Sequence, residues 1–89
     1  MSETRAKVAA SVKERAAKLQ TTITEQAGDI DAQFATYNQY STLFQGIGEG
    51  LDFAGATEED IQPVTAILNL IDRQLGVLQA DADLQAALA

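Results

Sequence analysis

Between Val8 and Phe44 the stronger apolar residues stand three, four or seven apart: Val8, Val12, Ala16, Leu19, Ile23, Ala27, Ile30, Phe34, Tyr37 and Phe44. That is the spacing of one helix face, and at 100° per residue all ten fall within about 100° of arc. A chain patterned this way folds as helices and must cover the stripe with something apolar. The fold class it specifies is all-α.

The stripe keeps its phase through Gly28 and Asp29, which a turn need not do. The preferred layout is therefore an elongated helical hairpin whose long N-terminal helix runs over about residues 3–45. Gly28 as a C-terminal cap and Asp29 as an N-cap support the alternative, a three-helix bundle with a break at Gly28-Asp29. The sevens at Ile23, Ile30, Tyr37 and Phe44 fit a coiled-coil seam against another helix.

Gly46, Gly48, Gly50 and Gly55 crowd into ten residues. Residues 46–57 accordingly read as a Gly-rich loop, with Leu51 and Phe53 tucked inward. Thr57 opens a capping-box pattern with Asp60, and Glu58, Glu59 and Asp60 place acids where a helix dipole favours them. A second helix over about residues 58–80 follows, tolerating Pro63 in its first turns. Its apolar residues divide into two stripes. Val64, Leu68, Ile71, Leu75, Leu78 and Ala82 form one; Leu70, Val77 and Leu84 form another about 140° away, so one partner cannot cover both.

The chain has no Cys and no His, which removes thiolate nucleophiles, imidazole bases, disulfides and every nitrogen or sulfur ligand of a zinc site. Gly46-Ile47-Gly48-Glu49-Gly50 lacks the Lys-Ser/Thr ending of a phosphate loop and carries an acid where phosphate would sit. Asp29-x-Asp31-x-Gln33 opens like a calcium loop, but Phe34 stands at its glycine position and Tyr40 at its twelfth. No catalytic, cofactor-binding or metal-ligating residue is assigned, and the expectation is a protein that is not an enzyme and uses no cofactor. Phe44-Gln45-Gly46 imitates the W-x-G turn of helical-hairpin effectors, but the chain has no Trp. No family is claimed.

At 89 residues the chain makes a single helical domain, 1–89, that buries only about 60–65% of its unfolded surface, so partner subunits become a natural source of stability. The stretch after Met1 has no apolar signal region, and the charge-free runs at 32–48 and 61–71 are too polar or too short to cross a bilayer. No membrane insertion is expected, and residence is expected in the cytoplasm or in a particle assembled there.

Charge is divided unevenly. Residues 1–18 hold Arg5, Lys7, Lys13, Arg15 and Lys18 against Glu3 and Glu14, a side-chain balance of +3; the remainder holds Arg73 against eleven acids, −10, and together these give −7. Residues 1–18 thus form a basic N-terminal arm on an acidic body. In the hairpin layout it overhangs by roughly 27 Å, within reach of a neighbouring copy's Glu58-Glu59-Asp60 or Asp81 and Asp83, or of an external polyanion. The plainer reading is that Glu3 with Lys7 and Glu14 with Lys18 are ordinary i, i+4 pairs on a wet face. Nucleic acid is disfavoured, because the basic groups alternate with Ala and lack aromatic stacking partners.

The uncharged runs flank the 46–57 segment, so in a hairpin they pair into one uncharged end. Phe34, Tyr37, Tyr40 and Phe44 are the candidate interface there, and Leu70, Val77 and Leu84 a second. The function expected is a non-enzymatic structural or assembly protein: a self-associating helical subunit, a homo-oligomer, of a larger particle, ring or tube such as a virion or secretion apparatus. The alternative is a small cytosolic adaptor, chaperone or inhibitor binding another protein by helix-helix packing.

Overall fold

A computed structural model describes residues 3–89. They form three helices, α1 Glu3–Glu25, α2 Ile30–Phe53 and α3 Glu58–Leu88, with no strand among the described residues. The all-α expectation holds. Of the two layouts it is the three-helix one that forms, and the long helix over 3–45 does not.

The break has a local cause. Gly28 adopts φ +85°, a left-handed conformation that only glycine reaches without steric penalty. Asp29 then caps α2, its carboxylate accepting from the backbone N–H of Ala32 at 3.0 Å. The gain is in packing: one unbroken helix would leave much of its stripe bare, whereas the fold-back sets both halves against α3. Four connecting residues span about one helical turn, which is why the stripe stays in phase across a real turn.

The second boundary also differs from expectation. Gly46, Gly48 and Gly50 lie within α2, and the connection shrinks to residues 54–57. Gly55 is left-handed, at φ +88°. Its N–H donates to the Asp52 carbonyl at 3.0 Å and that of Ala56 to the Leu51 carbonyl at 2.9 Å, so these two carbonyls of the last α2 turn are satisfied. Tertiary packing outweighs the helix cost of three glycines. Gly48 contributes to that packing, because a Cβ there would stand 3.4 Å from Cγ1 of Val64; α2 and α3 approach closely at this level.

The capping box at the start of α3 is formed as read. Thr57 Oγ1 accepts from the Asp60 N–H at 3.2 Å, and the Asp60 carboxylate accepts from the Thr57 N–H at 3.3 Å. α3 contains Pro63 and runs to Leu88, beyond the expected end near residue 80. Asp81 and Asp83 do not stop it; Asp83 instead accepts from the Gln79 side-chain amide one turn earlier, at 2.9 Å.

The helices run up, down and up. Arg5 of α1 meets Gln62 near the start of α3, Gly48 of α2 faces Val64, and the α1–α2 turn lies beside Ala82, Gln85 and Ala86. The result is a rod of 51 × 20 × 18 Å. α3 packs against both other helices, which touch each other least. Val8 and Leu19 of α1, Phe44 of α2 and Val64, Ile67 and Ile71 of α3 make the core. All but Ile67 are members of the two main stripes, which face one another; Ile67 stands beside the second, three residues after Val64 and four before Ile71.

Candidate interaction surface

The candidate residues separate once the bundle closes. Phe44 is fully buried in the core, so it is removed from the candidate interface: its own α1 and α3 cover it. Tyr40 packs on it with ring centroids 6.3 Å apart and planes tilted by 40°. Phe34 and Tyr37 are half-buried. Burial raises the pKa of the Tyr37 phenol above its ordinary 10.0, because the phenolate loses hydration there. The aromatic set is mainly bundle packing with its edges showing.

Residues 3–18 of the basic segment lie along α3 and do not overhang it. Val8 is buried, and Nη2 of Arg5 donates to Oε1 of Gln62 at 3.2 Å. The overhang belonged to the unbroken helix and goes with it; residues 1 and 2 lie outside the described residues. Lys7 pairs with Glu3 at 3.3 Å and Lys18 with Glu14 at 3.9 Å, all four side chains well exposed. Nε of Arg15 donates to Oγ of Ser11 at 3.4 Å, and Lys13 is exposed. Exposed pairs of this kind add little stability. They form a solvated helix face.

The remaining candidates, Leu70, Val77 and Leu84, are exposed on α3. They stand seven residues apart on the face turned from the core, and Leu88 joins them, four residues past Leu84. At 100° per residue the four lie within about 40° of arc and span about 27 Å. Leu88 joins the stripe because α3 continues through Asp81 and Asp83 to Leu88. Beside Leu70 a groove of about 480 Å³ opens between α1 and α3, walled by Ala16, Leu19, Ile23 and Gln74, with Tyr37 also lining it.

Phe53 departs from its expected inward position: it is 96% exposed at the last residue of α2. Leu51 is packed against the core. Two residues apart on a helix point about 200° apart, so the two cannot both face inward.

Among the described residues no three His, Cys, Asp or Glu side chains gather as a metal site, and no helix is long and apolar enough to cross a membrane. No protein-family model, curated protein or solved structure matches the chain.

Proposed function

We propose that this chain is a non-enzymatic, self-associating helical subunit of a larger particle, ring or tube, and that its contact face is the outer stripe of α3. The observation that carries the reading is the alignment of Leu70, Val77, Leu84 and Leu88, all exposed, on one face of a helix whose opposite face already fills the core. Scattered surface leucines are ordinary; apolar residues repeating every seven positions along one exposed helix face, at Leu70, Val77 and Leu84, favour a covering helix. The small core adds to the argument, since a chain of this length buries a limited share of its surface alone and is stabilised further when a second subunit covers more.

The second reading is an adaptor or inhibitor that receives a foreign helix in the same place, and the open groove between α1 and α3 favours it. Light scattering on the size-fractionated chain distinguishes the two. Self-association predicts a mass at least twice the 9.5 kDa chain, falling to the monomer when Leu84 and Leu88 are both replaced by Ser. A chain that stays monomeric up to millimolar concentration overturns self-association and leaves the adaptor.

A further inference from the structure

The outer stripe of α3 changes character along its length. In its first half it borders a recess: Leu70, 42% exposed, stands at the groove walled by Ala16, Leu19 and Ile23 of α1. Ile23 lines that groove with Ile71 and Gln74, and α1 ends two residues later at Glu25. Past this level the stripe stands proud, with Val77 53%, Leu84 58% and Leu88 78% exposed. A recess and a ridge on one straight line, to either side of Val77, are the two halves of a self-complementary surface.

Charge on the same face sets the direction of pairing. Arg73, the one basic residue after Lys18, lies one turn before Val77, and Asp81 lies one turn after it. Both are exposed, and neither forms an ion pair among the described residues. Parallel pairing in register would set Arg73 against Arg73 and Asp81 against Asp81. Antiparallel pairing centred on Val77 sets each Arg73 level with Asp81 of the other copy, twice over. The same register brings Leu70 level with Leu84 of the other copy and the small Ala66 level with its Leu88.

We infer that two copies associate through α3, antiparallel about a two-fold axis at Val77. Leu84 and Leu88 of each copy seat in the α1–α3 groove of the other, and Arg73 of each faces Asp81 of the other across the seam. The inference rests on the self-association reading and adds direction and register to it. The surface is isologous, so this contact yields a dimer, and a larger particle is built from such dimers through other surfaces.

The test is a charge reversal read by sedimentation equilibrium at low salt on the full chain, with circular dichroism confirming that each variant keeps its helicity. Arg73→Asp or Asp81→Arg alone places like charges opposite each other at both symmetry-related positions, and each is expected to weaken the dimer about tenfold. Arg73→Asp combined with Asp81→Arg restores opposite charges and should return the dissociation constant to within about threefold of the parent. A parent dimer indifferent to all three variants overturns the antiparallel arrangement and leaves self-association standing. A parent chain monomeric to millimolar concentration overturns both.

Cysteine placement gives a second readout, since the chain has no cysteine. Mixed Leu70→Cys and Leu84→Cys chains should oxidise mainly to the hetero-disulfide. Predominance of the Leu70→Cys homodimer would overturn the register.

Discussion

The hydroxyl of Thr36 donates to Oε1 of Gln26 at 2.9 Å, across the turn that separates α1 from α2. The backbone carbonyl of Gln26 also accepts from Nε2 of Gln33, at 3.1 Å. One residue just past the end of α1 is therefore held by α2 through both its side chain and its backbone. Thr36 is itself buried, so its hydroxyl needs this partner. Thr36→Val keeps the shape and leaves Gln26 without its donor, and urea unfolding should show a loss of about 1 kcal/mol. An unchanged midpoint would mean that Gly28 and Asp29 hold the turn without help.

Glycines in this chain should respond with opposite signs. Gly28→Ala forces a side chain into the left-handed conformation and should cost about 1 kcal/mol. A Cβ at Gly46 or Gly50 meets nothing within 4 Å, and both positions are helical. Replacement by Ala there should stabilise by roughly 0.5–1 kcal/mol each. Thermal unfolding of the three variants would show it; destabilisation at all three would mean that residues 46–50 are not a settled helix.

Two phenylalanines nine residues apart make a sharper contrast. Phe44→Ala opens the centre of the core, and losses of about 3–5 kcal/mol are usual for such changes. That rivals the whole stability of a small domain, so Phe44→Leu is the milder probe. Phe53→Ala should stay within about 0.5 kcal/mol of the parent in the monomer. If Phe53 mattered as much as Phe44 to the melting temperature, the end of α2 would be packed differently from the arrangement described here.

Tyr37 gives a prediction in pH. Its folded pKa lies above the ordinary 10.0, so the unfolded chain releases this proton first as the solution is made alkaline. Tyr37 therefore costs no stability below pH 10.0, and stability falls as pH rises from there through the higher folded pKa. In a Tyr40→Phe background Tyr37 is the one tyrosine left. Phenolate absorbance should then show a midpoint above 10.0 that drops on adding denaturant, and equal midpoints in the two states would count against burial.

Much of the fold was legible from spacing. Val8, Leu19, Phe44, Val64, Ile71 and Leu78 were all on the stripes read as inward-facing and are all buried. The Thr57 capping box was readable too, because a short side-chain motif dictates its own geometry. The layout was harder. Gly28 and Asp29 carried the right local signal, but a four-residue connection moves the phase so little that periodicity cannot tell a turn from a helix. Glycines 46, 48 and 50 misled for the opposite reason: their local preference was read correctly and then outweighed by the packing of Phe44, Ile47 and Leu51. Of the surface candidates, Leu70, Val77 and Leu84 could be placed because two stripes on one helix cannot both be inside. Phe44 and Tyr40 could not be separated from them by sequence, since a core face and an interface face have the same period.

From Asp83 onward every residue of α3 is exposed, with the α1–α2 turn and the first residues of α2 beside it. The amide protons of these last turns are protected by the helix's own hydrogen bonds and little else, so fraying releases them at far less cost than unfolding the bundle. Deuterium uptake at this end of the chain should thus be fast in dilute solution and slow once a second copy lies across Leu84 and Leu88. The tail would serve as a built-in gauge of occupancy, readable one amide at a time without an attached dye or tag.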